Sequence, residues 1–140
     1  MKLKKAANIL FLVGAILSIV IAAGLLISAI ACFVIPSIPE VKTLLVEAIE
    51  KGTVHSDIPG TPEDIANIIL GSLLGFGVFF IITAVFTAVN AIMAFKGRNS
   101  SSKAIFILNI VFGVLGCTYV NVVGAVFGLI KGDTVVNEEQ

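Results

Sequence analysis

Long uncharged runs alternate with short charged segments along the chain. Three runs, 6–35, 65–95 and 104–130, contain no Asp, Glu, Lys, Arg or His. A helix needs about 20 apolar residues to cross the hydrocarbon core of a bilayer, and each run is longer than that. The pattern therefore predicts an all-α integral membrane helical bundle, with residues 1–140 forming a single membrane domain.

Two long transmembrane helices are predicted at 6–35 and 62–95. The second has a clear start, because Thr61 is a preferred N-cap residue, Pro62 favours the first helical position and two acidic residues follow in the first turn. We expect it to end at residue 95, before the basic and serine-rich loop 96–103.

The third run, 104–130, has two interpretations. A single helix would give three transmembrane helices, but it would place the small and polar residues 116–121 near the bilayer centre, where unpaired polar groups are costly. A short helical hairpin, 104–117 and 119–131 followed by a tail at 132–140, breaks the chain there instead. Each arm is only about 20 Å long, which a locally thinned bilayer tolerates. We favour the hairpin and keep the three-helix alternative.

A short amphipathic helix is predicted at about 38–51, within the outer segment 36–61. Ser37 and Glu40 have the spacing of a capping box, and Gly52 is a natural helix stop. The apolar positions recur with helical period on one face: Val41, Leu44, Leu45, Ala48 and Ile49.

The distribution of charge orients the predicted helices. Three lysines precede the first run, and Lys96, Arg98 and Lys103 lie in the loop 96–103. Residues 36–66 hold six acidic residues and two lysines. Because short basic segments are retained in the cytoplasm, we expect a multi-pass protein of the cell (plasma) membrane with a cytoplasmic N-terminus and an extracellular 36–61 loop.

The composition agrees with this class of protein. Hydrophobic residues make up 58% and charged residues 13% of the chain, against about half and a quarter in soluble proteins. The nine basic and nine acidic residues cancel, so net charge gives no attraction to nucleic acid, and none is expected as a partner.

The first run also resembles a signal sequence with a lipoprotein cleavage box at Ala29-Ile30-Ala31-Cys32. The uncharged stretch before Cys32 is much longer than the roughly 7–15 apolar residues of a signal peptide, and Ala29 stands where such a box usually has Leu. We favour a transmembrane helix.

The chain offers few residues for catalysis. The uncharged runs lack every titratable acid and base, so we expect no enzyme, no catalytic residue and no cofactor. His55 beside Asp57 is too little for a metal site. Cys32 and Cys117 have no motif; the hairpin interpretation allows a disulfide between them at the outer ends of helices, and two unpaired thiols are favoured.

Small residues at four-residue spacing are candidates for helix packing, because they let helix backbones approach closely in lipid. We favour contacts within the bundle over oligomer seams. The pairs are Gly24 and Ser28, Gly71 and Gly75, Ala84 and Ala88, and Gly124 and Gly128.

Five of the amide and threonine residues inside the uncharged runs are candidates for polar contacts within the membrane. Amides and hydroxyls there usually hydrogen-bond between helices, and a small polar cavity is the alternative. The residues are Thr83, Thr87, Asn90, Asn109 and Asn121.

The C-terminal sequence ILNIVFGVLG at 107–116, followed by VNVVGAVFGLI at 120–130, resembles the C-terminal signature of an uncharacterised family of small four-helix membrane proteins of Gram-positive bacteria. The resemblance covers about a third of the chain. It implies a turn between two short helices and carries no activity.

Two classes of function follow. The first is a small non-enzymatic accessory, interaction or immunity-type component of the membrane, and the alternative is a homo-oligomeric pore or small-solute transporter built on the glycine contacts. The expected partners are the lipid bilayer and either a membrane protein or a further copy of the chain.

Overall fold

The computed structural model describes residues 2–98, 102–116 and 118–138. These residues form five α-helices and one 3₁₀ turn, Ile35–Ser37. Two of the helices, α1 and α3, are long and apolar enough to cross a membrane, so the prediction of two long apolar helices is confirmed. The helices are α1 (Lys2–Val34), α2 (Pro39–Glu50), α3 (Pro62–Gly97), α4 (Lys103–Leu115) and α5 (Tyr119–Glu138).

The last two helices form an antiparallel hairpin. A Cβ added at Gly113 would lie 2.7 Å from Cγ2 of Val122, and one at Gly128 would lie 2.7 Å from the ring of Phe106. The prediction of two short C-terminal helices is confirmed, and the single-helix alternative is wrong. The helix α5 continues to Glu138, so most of the expected tail is helical.

The chain divides into two compact units, and the first comprises the residues up to Leu25 and those from Ile82 onward. It contains the start of α1, the end of α3 and the hairpin. The rings of Phe11 and Phe106 stack there with centroids 5.9 Å apart and an interplanar angle of 9°. Small residues surround this pair and allow the close approach: Ala15, Ala94 and Ala125.

The second unit is Leu26–Ile81 and holds the end of α1, the 3₁₀ turn, α2 and the start of α3. The two long helices touch at Gly77, where an added Cβ would lie 3.1 Å from both Cβ of Cys32 and the ring of Phe33. The ammonium of Lys42 on α2 lies 2.9 Å from the carboxylate of Glu63 in the first turn of α3, and both side chains are partly exposed.

The ends of α2 show one wrong and one correct expectation. Ile38, not Ser37, occupies the N-cap, and the Ser37 hydroxyl donates to the carbonyl of Phe33 at 2.7 Å, so the capping box predicted there is wrong. Gly52 adopts a φ of 71°, and its N–H donates to the carbonyl of Ile49 at 3.0 Å. This left-handed residue ends the helix as expected.

The start of α3 is a reciprocal capping box. The N–H of Asp64 donates to the Thr61 hydroxyl oxygen at 3.2 Å, and the N–H of Thr61 donates to the Asp64 carboxylate at 3.2 Å. The Thr61 hydroxyl also donates to that carboxylate, at 2.7 Å.

The two long helices present apolar side chains on their outer surfaces. Aliphatic and aromatic residues such as Val20, Ile27 and Phe79 are more than half exposed. Four hydroxyl and amide side chains of the same helices are buried, whereas Ser28, Asn67 and Ser72 are exposed. The buried residues are Ser18, Thr83, Thr87 and Asn90.

Candidate functional site

Six polar side chains of the first unit, from four helices and the turn between α4 and α5, are buried and make three separate sets of hydrogen bonds. None of them is more than 4% exposed, although all lie within uncharged runs. We call this group the polar cluster, and its members are Ser18, Thr87, Asn90, Asn109, Thr118 and Asn121.

One part of the polar cluster joins α3 to the turn between α4 and α5. The hydroxyl of Thr87 donates to the carbonyl of Gly116 at 3.0 Å and to that of Thr83 at 2.8 Å. The amide nitrogen of Asn90 donates to the hydroxyl of Thr118. Thr87 and Asn90 are three residues apart on one helical face, so a single stripe of α3 binds the turn.

Close packing accompanies these bonds. A Cβ at Gly116 would lie 2.9 Å from the hydroxyl oxygen of Thr87 and 3.0 Å from its Cα. Gly116 therefore lets the turn approach the backbone of α3 to a distance that no side chain permits.

A second part of the polar cluster joins α5 to α1. The amide nitrogen of Asn121 donates to the hydroxyl of Ser18 at 3.0 Å, and Ser18 donates to the carbonyl of Gly14 at 2.7 Å. A Cβ at Gly14 would overlap the amide oxygen of Asn121. Gly14 therefore provides the space into which the Asn121 side chain fits.

A third part of the polar cluster joins α4 to α3. The amide nitrogen of Asn109 donates to the carbonyls of Met93 and Ile105, each at 3.0 Å. A Cβ at Gly97 would lie 3.2 Å from this nitrogen and 3.2 Å from the ring of Phe11.

The three asparagines share one further property. Their side-chain oxygens are buried and accept no hydrogen bond from any described residue. An oxygen facing apolar or C–H groups gains little in return for lost hydration, which makes these positions sensitive to substitution. Amides and hydroxyls do not titrate near neutral pH, so the arrangement is suited to holding helices together.

The small residues expected to pack helices fall into two groups. Gly124 meets Leu10 and Phe11 of α1, with an added Cβ 3.3 Å from Cβ of Leu10, and Gly128 meets Phe106 of α4. Ala84 is buried, whereas Ala88 is exposed.

The remaining pairs face outward. Gly24, Ser28, Gly71 and Gly75 are exposed, and a Cβ at either Gly71 or Gly75 would meet no heavy atom within 4 Å among the described residues.

Sequence reasoning missed several members of this site. Gly14 and Ser18 were not singled out, and Gly116 and Thr118 were assigned only to the break at 116–121, not to the packing or polar candidates. A signal existed for one pair, because Gly14 and Ser18 have the same four-residue spacing as the other small pairs.

The described residues include no group of three His, Cys, Asp or Glu side chains placed to hold a metal ion. Cys32 is buried and free, whereas Cys117 lies outside the described residues, so the favoured interpretation of two unpaired thiols stays a prediction for Cys117. His55 and Asp57 lie 3.7 Å apart and are both exposed.

Comparison of the chain with protein-family models, with curated proteins and with solved structures finds no match. The resemblance of residues 107–130 to a family of small four-helix membrane proteins stays a prediction.

Proposed function

We propose that the chain is a multi-pass protein of the plasma membrane that acts without catalysis, as an accessory, interaction or immunity-type component. The observation that carries the membrane assignment is the reversal of the usual burial pattern. Seven amide and hydroxyl residues of the uncharged runs are buried, among them Ser18, Thr87 and Asn90, while many large aliphatic and aromatic side chains of α1 and α3 are exposed. Water disfavours so large an apolar surface, and hydrocarbon does not.

The basic residues support a cytoplasmic N-terminus and loop 96–103. Lys4 and Lys5 at the start of α1 are exposed, as are Lys96 and Arg98 at the end of α3 and Lys103 at the start of α4. Positive charge beside a membrane helix favours the cytoplasmic side, which leaves α2 outside the cell.

The interaction role is supported by α2. This helix buries none of its residues, and an exposed ion pair between Lys42 and Glu63 links it to α3. Leu44 is 64% exposed and lies between Glu40 and Glu47 on the same helical face. An exposed leucine with flanking acids, held in a defined position outside the bilayer, suits contact with a partner that is apolar and basic.

The pore alternative gains no support from the polar residues. Thr87, Asn90, Asn109 and Asn121 are buried within one chain, so they do not offer a polar outer face to line a channel between copies. The exposed residues of α1 and α3 are mainly apolar, with Ser28, Asn67 and Ser72 as scattered exceptions, and a water-filled pore needs a continuous polar lining.

Site-specific photo-crosslinking in native membranes tests the proposal. With a photoreactive residue at Leu44, we expect one discrete adduct with a second membrane protein or a secreted peptide, and its loss in the Glu40→Lys, Glu47→Lys double variant. The same residue at Val85, which is exposed on α3, is the matched control and should react mainly with lipid.

Two results would contradict the proposed function. One is the absence of any protein adduct at Leu44 while Val85 reacts with lipid. The other is a defined ring of copies that conducts ions in liposomes, which would favour the pore.

A further inference from the structure

The two described residues of the connection between α4 and α5, Gly116 and Thr118, are buried, unlike those of most connections between helices. Thr118 is only 4% exposed, and Gly113 in the last turn of α4 is buried as well. Connections normally lie at the protein surface, because water satisfies their backbone groups there. A turn that projects beyond the bilayer into water would be expected to be exposed.

Hydrogen bonds within the protein replace water at this turn. The N–H of Gly116 donates to the carbonyl of Phe112 at 2.8 Å, and the N–H of Thr118 donates to that of Gly113 at 2.7 Å. The carbonyl of Gly116 accepts from the Thr87 hydroxyl at 3.0 Å. Non-helical backbone at membrane depth needs such internal partners, because hydrocarbon offers none.

The turn also meets the long helices far from their outer ends. Gly116 meets Thr87, which lies roughly 33 Å along α3 from residue 65, and Asn121, one turn into α5, meets Ser18, roughly 25 Å along α1 from residue 35.

The turn lies short of the outer boundary of the hydrocarbon core wherever the bilayer is placed along the uncharged runs. If the hydrocarbon core of about 30 Å lies as near to the loop 96–103 as the runs permit, its far boundary falls close to residue 25 of α1 and residue 76 of α3. These positions are about 10 and 16 Å beyond Ser18 and Thr87. Any other placement of the core increases both distances. The tip of the hairpin lies one helical turn, about 5 Å, beyond Asn121, which is less than either distance to the boundary.

We propose that the α4–α5 hairpin is re-entrant. It enters the bilayer from the side of the loop 96–103, turns between Gly116 and Thr118 inside the membrane, and leaves on the side it entered. The proposal rests on the membrane placement of α1 and α3 in the proposed function. In this topology α4 and α5 do not span the membrane, because the hairpin never reaches the outer boundary of the bilayer. Thr87 and Asn90 of α3 bind its tip.

Spin-label depth measurements in liposomes test this topology. Single cysteines replace Leu115 and Tyr119, which flank the turn and are exposed on the outer surface, in a Cys32→Ala, Cys117→Ala background. Two exposed positions of α3 serve as depth references: Val85→Cys near the level of Thr87, and Ile68→Cys near the outer end. Collision rates with oxygen and with a water-soluble nickel chelate give the depth of each label.

We expect the labels at residues 115 and 119 to report the depth of Val85, with oxygen favoured over nickel. The proposal is overturned when both labels report the shallow depth of Ile68, with at least a several-fold higher nickel collision rate than Val85. That result leaves the membrane placement intact. A high nickel collision rate at Val85 itself overturns the membrane placement and the re-entrant hairpin together. Two labels are used so that a depth altered by one substitution alone is recognised by disagreement between positions 115 and 119.

Discussion

The side-chain amide of Asn121 on α5 donates a hydrogen bond to the hydroxyl of Ser18 on α1, with 3.0 Å between Nδ2 and Oγ. The amide oxygen lies where the Cβ of a side chain at Gly14 would be. Both polar residues are fully buried. This contact joins the N-terminal helix to the C-terminal hairpin, and it sets how closely the two helices approach.

The first prediction concerns Gly14. Gly14→Ala places a Cβ on the amide oxygen of Asn121 and should lower the stability of the detergent-solubilised protein by about 1–3 kcal/mol, the usual effect of overpacking. Thermal unfolding followed by circular dichroism measures the change. Gly71→Ala is the matched control, because it adds the same methyl group to an open position and should be neutral or slightly stabilising.

The Gly14 prediction has a specific rescue. In an Asn121→Ala background, Gly14→Ala should lose most of its effect, because the overlapping oxygen is gone. An equal loss of stability in both backgrounds would show that the overlap with Asn121 is not the cause.

The second prediction concerns the hydrogen bond itself. Ser18→Ala removes the acceptor and leaves the Asn121 nitrogen buried without it, so we expect a loss of about 1 kcal/mol. A double-mutant cycle with Asn121→Ala should give a coupling energy of about 0.6 kcal/mol, with an upper range near 1.7, as for other hydrogen bonds between membrane helices. Additive effects would indicate that the two side chains do not interact.

The third prediction concerns the turn. Thr87→Val keeps the shape of the side chain but removes the donor to Gly116, whereas Thr87→Ser keeps the donor. We expect faster amide hydrogen exchange across residues 113–120 in Thr87→Val, by about five-fold for a loss near 1 kcal/mol, and little change in Thr87→Ser. Equal exchange in both variants would mean that the hydroxyl does not hold the turn.

The fourth prediction concerns the ion pair between α2 and α3. Lys42 and Glu63 are partly exposed, so Lys42→Ala should change the stability by no more than about 0.5 kcal/mol. We expect the ion pair to restrict the position of α2 relative to the start of α3 instead. A spin label at Leu44 should become more mobile in Lys42→Ala and remain unchanged in Lys51→Ala, which removes the pair between the C-cap of α2 and Glu47. Equal mobility in the two variants would exclude a positioning role for Lys42.

The sequence was sufficient for the coarse fold, because uncharged runs and caps are local signals. The long helices, the start of α3 at Thr61 and the break near Gly116 follow from residues that are close together in the chain. The N-cap of α2 could not be predicted in this way, because the Ser37 hydroxyl donates back to the carbonyl of Phe33 and does not cap the next helix.

The polar cluster was only partly predictable. Asn90, Asn109 and Asn121 stand out as amides in apolar runs, but their partners are set by packing between helices. The pairing of Asn121 with Ser18, residues more than a hundred positions apart, leaves no local signal. The role of Gly14 depends on that pairing, so the sequence alone does not distinguish Gly14 from the other glycines.

Lipid contact is the property that the whole account depends on. Liposomes containing the protein and a carbene reagent confined to the bilayer, followed by mapping of labelled peptides by mass spectrometry, measure it directly. We expect labelling at exposed apolar positions such as Val20, Ile27 and Val85, and none at Asn90, Asn109 or Asn121. Absence of labelling from α1 and α3, or preferential labelling of the three asparagines, would contradict a membrane protein with a polar interior.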